Sequence, residues 1–139
     1  MALILDTGPI VAMLDATDPD HERCAALIAD AHEARIVPTP VLVEVEYLVR
    51  PWAGAFAALL ADIARSAITV HDLDRATTLR AGELVEQYRD LPLGFVDAAV
   101  IALTERLGER KVATLDHRHF GVVRPGHVDA LELLPGSAG

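Results

Sequence analysis

The sequence predicts an α/β fold, a three-layer α/β/α sandwich on a mainly parallel central sheet. Three observations predict it. Apolar runs of strand length alternate along the chain with stretches of helical spacing. The strand-like runs are apolar throughout, the mark of strands covered on both faces. The 139 residues are 52% hydrophobic but only 4% aromatic, which supplies one aliphatic core. The reading is a single domain over residues 1–134 and a frayed tail at 135–139.

Each element has its own signal. Ala2–Leu5 is a short apolar strand, closed by Asp6-Thr7-Gly8-Pro9, where a helix starts and runs to Leu14. Asp18-Pro19-Asp20 is a turn. From His21 to about Glu33, Cys24, Leu27, Ile28 and Ala31 recur at helical spacing. Arg35–Pro38 is a small strand. Thr39 then reads as an N-cap with Pro40 at the first helical position, and the helix runs to about Arg50. Pro51-Trp52-Ala53-Gly54 breaks it before an Ala/Leu helix at Ala55–Ala64. Ala67–His71 is strand-like. Asp72 to about Arg89 is an amphipathic helix with Leu73, Ala76, Leu79, Leu84, Val85 and Tyr88 inward. After the loop Asp90–Gly94, Phe95–Leu107 is a nearly all-apolar helix ended by Gly108. Lys111–Leu115 is a strand closed by Asp116, and a last strand lies near Ala130–Leu134.

Composition excludes several classes. One cysteine, Cys24, rules out a disulfide scaffold. No stretch of 18 residues is free of charge, so no membrane span is expected. The absence of a basic leader points to a cytoplasmic protein. The net charge of −9 does not suit a nucleic-acid binder that relies on a broad basic surface.

Four acids stand out because their surroundings are apolar. Asp6 and Asp116 each end a strand, where ligands bind in such sheets. Glu44 lies inside Val41-Leu42-Val43-Glu44-Val45 with no base at i±3 or i±4. Asp97 opens the apolar helix Phe95-Val96-Asp97-Ala98-Ala99. Each has an ordinary alternative: a cap, a turn, a surface edge, a first-turn acid. Together they can converge at one sheet edge. Clustered carboxylates repel unless a cation neutralises them. Oxygen donors select hard divalent ions, Mg²⁺ or Mn²⁺, which suit phosphodiester hydrolysis. Glu46 is the rival to Glu44, but Arg50 follows it at i+4.

In these residues the sequence resembles the PIN-domain ribonucleases, and most closely the VapC-type toxins of bacterial toxin–antitoxin pairs. The resemblance spans essentially the whole chain. A strand closing in Asp matches Ala2–Thr7. A glutamate in the helix after the second strand matches Thr39–Glu44. An Asp opening an Ala-rich helix matches Gly94–Val100. A strand with Thr-x-Asp and a following Phe matches Thr114–Phe120. The resemblance implies a PIN-like fold and a metal-dependent endoribonuclease. It makes Asp6 and Asp97 metal ligands, with Glu44 and Asp116 completing the catalytic cluster and Thr7 and Thr114 as hydroxyl supports. Glu44 or Asp116 would orient the attacking water, take its proton or hold a second ion. Where some members carry a further acid, this sequence has His117 and His119, read as loop residues. The implied partners are an RNA substrate, a second copy in a homodimer, and an antitoxin covering the acidic groove.

Residues 104–127 hold five of the 12 bases, so RNA contact falls to this segment, with Arg118 and Arg124 as the candidates. The helices Thr39–Arg50 and Ala55–Ala64, with Trp52 between them, offer apolar surface for partners. Two other readings make different demands on these residues. An aspartyl-nucleophile phosphohydrolase wants a second Asp where Gly8 stands. A catalytically silent PIN-like module that binds RNA or a partner has no need of four acids.

Overall fold

The structure is a computed structural model and describes residues 1–136. Of the expected tail at 135–139, residues 137–139 lie outside the described residues. Five strands, β1 (Ala2–Leu5), β2 (Ala34–Pro38), β3 (Thr69–His71), β4 (Lys111–Ala113) and β5 (Glu132–Leu134), form one sheet. Their order is β3-β2-β1-β4-β5, and all four pairings are parallel. The helices are α1 (Thr7–Leu14), α2 (His21–Asp30), α3 (Thr39–Val49), α4 (Ala55–Ala64), α5 (Arg75–Gln87), α6 (Phe95–Leu107) and α7 (His117–Val122).

The chain winds from β1 outward to β2 and β3, then returns to β4 on the other side of β1. Right-handed crossovers therefore put α1–α4 on one face and α5–α7 on the other. The packing agrees: α1 lies against α2, α3 and α4, while α6 lies against α5 and α7. This is the α/β sandwich expected from the sequence. The winding reverses between β1 and β4, and a crevice opens at such a point beyond the strands' carboxyl ends.

β1 is the centre of the core. All four of its residues are buried, and it is paired on both sides. α6 is the most deeply buried helix, with every residue from Ala98 to Thr104 inaccessible. It ends at Gly108, whose φ of +68° is the left-handed cap that glycine takes without strain. Among the described residues, no helix is long and apolar enough to cross a membrane.

Some local expectations fail for identifiable reasons. α1 begins at Thr7, so Asp6 takes the N-cap position, yet its side chain makes no cap hydrogen bond. Thr39 is inside α3 rather than its cap; Pro38 is the N-cap, and the Thr39 hydroxyl donates to Asp72 at 2.5 Å. The inward face of α5 carries Thr77, Ala81 and Leu84, while Leu79 is 59% exposed and Ala76 is exposed too. The polar Thr77 on the buried side disguised the phase of that helix. α7 was expected as a loop.

Glu105 reads as a surface acid beside Arg106 and Arg110, but folding pairs it elsewhere. It accepts Arg80 Nε at 2.8 Å and Nη2 at 3.1 Å, and the Gly126 amide at 2.6 Å. It thereby joins α5, α6 and the segment after α7. Glu105→Ala strands three donors around a half-buried position, so it should lower unfolding free energy by about 2 kcal/mol in urea melts.

Candidate active site

The site grows from the ends of the two central strands. The ladder continues one step past β1, where the Asp6 amide donates to the Ala113 carbonyl at 2.9 Å. That step sets Asp6 beside Thr114. The Thr114 hydroxyl donates to Asp6 Oδ2 at 2.8 Å and also accepts the Asp116 amide at 3.0 Å. One buried hydroxyl thus ties the two strand-end acids together.

The other two acids come from helices on opposite faces. Glu44 projects from α3 and Asp97 from the first turn of α6, and the two helices touch. Asp6, Thr7, Gly8, Glu44, Leu48, Asp97, Leu115 and Asp116 line one open groove of about 480 Å³. All four singled-out acids therefore meet there. Glu46 does not, being held by Arg50 through two bonds of 2.7 Å.

The structure adds a residue that the sequence reading set aside. His119 lies in the first turn of α7, whose N-cap is Asp116. Its amide donates to Asp116 Oδ1 at 3.0 Å, and its ring Nδ1 lies 2.5 Å from Asp116 Oδ2. The same Nδ1 is 3.9 Å from Asp97 Oδ2. One donor atom each from Asp97, Asp116 and His119 fits within 4.8 Å. The readable signal was the i, i+3 spacing from a capping Asp to a histidine.

The electrostatics are those of acids forced together. Asp6 is 5% exposed, and burial pushes its carboxyl up to about 6, against the pull of the nearby Thr7 backbone amide and of the Thr114 hydroxyl. The charges of Glu44 and Asp116 raise it further. Asp97 is pushed up to about 7, by burial first, then by the charges of Asp6 and Asp116; the nearby His119 opposes the rise. The hydrogen bond to Asp116 raises the His119 imidazole above its ordinary value. Asp6 Oδ1 and Thr7 Oγ1 are buried with no partner. A buried carboxylate oxygen without a partner beside other acids is the kind of oxygen donor that a divalent cation can use.

The family model for the PIN domain matches residues 3–124. The chain belongs to the PIN-domain family. Its relatives place it with the VapC type. Ribonuclease VapC26 of Mycobacterium tuberculosis (strain ATCC 25618 / H37Rv) is 34% identical over 125 residues, 88% of this chain and 93% of that protein. The crystal structure of Mycobacterium tuberculosis VapC20, a sarcin-ricin loop cleaving toxin, superposes with a TM-score of 0.76. It covers 93% of this chain and 98% of its own at 21% identity. VapBC2 from Rickettsia felis, bound to a DNA fragment from its promoter, gives a TM-score of 0.64 at 21% identity. That match covers 96% of this chain and 97% of the other.

In this PIN domain, the Thr114 hydroxyl links Asp6 and the Asp116 amide, and the loss of that link can be measured. Thr114→Val keeps the shape but removes the proton held by Asp6 Oδ2 and the acceptor of the Asp116 amide. Divalent-metal affinity, read by titration calorimetry, should fall about 10–100-fold. Neither of the two arginine candidates is among the residues that line the groove. Arg118 is exposed on α7 next to His119, and Arg124 is exposed just past α7, where its amide donates to the Tyr88 hydroxyl at 2.9 Å.

Proposed function

We propose that this PIN domain is a Mg²⁺-dependent endoribonuclease, acting as the toxin of a toxin–antitoxin pair. The observation that carries the reading is Asp6: a buried carboxylate with one unpartnered oxygen, facing three other acids across an open groove. Such an arrangement is costly for folding alone and useful when a cation joins it. The kinship with a protein named ribonuclease VapC26 supports the same activity.

Asp6 and Asp97 would hold the ion, with Asp116 completing the donor set. Bound there, Mg²⁺ (or Mn²⁺) lowers the pKa of a coordinated water and neutralises charge gathering on an RNA phosphate. Thr114 orients Asp6 by its hydroxyl, and Thr7 lines the same wall. Glu44 has no side-chain hydrogen bond among the described residues, so its oxygens are free to orient the attacking water and accept its proton. Asp116 is less suited to that step, since His119 engages both of its oxygens.

RNA meets the site through the local basic segment and the ion, not through a global field, because the chain carries −9 overall. Arg118 and Arg124 are the phosphate contacts in this reading. Partners use the apolar surface beside the groove. Val43, Tyr47, Leu48, Trp52 and Leu60 are all exposed on or between α3 and α4, and Leu48 also lines the groove. A second copy and an antitoxin segment covering the acids would bury this surface in the cytoplasm.

The test is incubation of purified protein with mixed RNA in Mg²⁺ or in EDTA, beside Asp97→Ala. Cleavage should require the metal and fall more than about 10²-fold in the variant. Cleavage that survives EDTA overturns the reading. Intact folding with metal binding but no cleavage of any RNA favours the silent binding module instead.

A further inference from the structure

We propose that His119 is the positioning residue of this site, its Nδ1–H fixing the orientation in which the Asp116 carboxylate meets a divalent cation. This role rests on the metal-dependent reading above and extends it to a residue outside the four acids.

The geometry is specific. Asp116 Oδ1 accepts the His119 amide at 3.0 Å, and Oδ2 faces Nδ1 at 2.5 Å. We assign the proton to Nδ1, the tautomer in which the ring donates and the Asp116 carboxylate accepts. That proton keeps Nδ1 from ligating a metal itself. Asp97 Oδ2, at 3.9 Å, is beyond hydrogen-bond reach, so the donor is committed to Asp116. Each Asp116 oxygen then holds one hydrogen bond and keeps a lone pair for a cation. Ligating carboxylates that are themselves hydrogen-bonded are oriented and tuned in this way. The pin also extends inward. The Asp116 amide donates to Thr114 Oγ1, which in turn donates to Asp6 Oδ2. His119 on α7 is thereby coupled to the buried acid on the far strand.

The experiment compares His119→Asn, His119→Gln and His119→Ala. Asn places an amide nitrogen where Nδ1 lies, and Gln places one near Nε2. Mn²⁺ binding is measured by titration calorimetry, and RNA cleavage is resolved into kcat and KM. His119→Ala and His119→Gln should bind Mn²⁺ about 10-fold more weakly, and their kcat should fall about 10–100-fold with KM little changed. His119→Asn should recover most of both. Melting curves in EDTA establish that each variant is folded, and the Asn and Gln comparison stands even if His119→Ala is not. Recovery by Gln but not Asn overturns the proposal, because His119 would then act through Nε2. Equal loss in all three, or no loss in any, overturns it as well. Failure of the metal-nuclease reading looks different: the unaltered protein itself would cleave RNA in EDTA.

Discussion

Asp6→Asn should abolish RNA cleavage while making the metal-free protein more stable at pH 8. The two effects have one cause. Asp6 is buried, accepts one hydrogen bond from Thr114, and leaves Oδ1 without a partner. Its ionised form is a charge that the fold does not pair, which is why the carboxyl is pushed up to about 6. From the ordinary 3.8, that shift corresponds to about 3 kcal/mol of destabilisation once the group is ionised. Asn keeps the shape and the acceptor for Thr114 and removes the charge. Its amide nitrogen sits where Oδ1 had no partner and is itself a buried donor left unsatisfied, which offsets part of the gain, so the net gain is about 1–2 kcal/mol. If the groove holds Mg²⁺ as proposed, the order should reverse in saturating Mg²⁺, since the native protein would gain binding energy that the variant lacks. Cleavage falls about 10³-fold, the scale expected for removing a preorganised charge at a reacting centre. Melting in EDTA and in Mg²⁺, alongside a cleavage assay, checks all three parts. A variant less stable than the native protein in EDTA at pH 8 would falsify the account.

The acids that make this site were legible because they violate a local rule. Asp6 and Asp116 close apolar strand runs, and Glu44 and Asp97 sit in apolar helical runs without a base nearby. Parallel topology then dictates that strand-end residues share an edge, and the edge between β1 and β4 gathers them. The fold was legible for the same reason that β1 and α6 are buried throughout: continuous apolar runs cannot sit anywhere else. What escaped depends on tertiary partners. His119 belongs to a six-residue helix with too few turns for a periodic signal. Its importance comes from a side chain folded back onto its own cap. Glu105 finds Arg80 from 25 residues away, although two arginines lie closer in sequence. The phase of α5 was misread because Thr77, not Leu79, faces inward. Local spacing identifies residues that are out of place, but it does not say which distant group will meet them.

The metal-free protein should also lose stability steadily from about pH 4 to pH 8. Burial raises both Asp6, to about 6, and Asp97, to about 7, from an ordinary value of 3.8. A raised carboxyl holds its proton more tightly in the folded state than in the unfolded chain. Its contribution is therefore complete below the unfolded value and is lost as pH rises through the folded one. The window runs from 3.8 through about 7. His119, also raised, loses its contribution at the upper end and adds to the same slope. Glu44 and Asp116 face the pair and strengthen the repulsion as it ionises. Asp74 works in the opposite sense, since its capping bond to Thr77 lowers it to about 2, but its effect falls below the window; Glu33, Glu46 and Glu105, lowered from 4.5, oppose the loss only at its acid end. The two buried acids repel each other, so their losses do not simply add, but together they exceed the loss from Asp6 alone; a drop of more than about 3 kcal/mol, or more than about 10 °C in Tm, is expected. Mg²⁺ should invert the trend. A cation held in the proposed site would bind the ionised acids, so its stabilisation would grow as they lose protons, and the Tm in metal should hold or rise where the Tm in EDTA falls. Calorimetric scans between pH 4 and pH 8, with and without metal, decide the matter. Parallel curves would mean that the four acids are not a cation site, whatever else the groove binds.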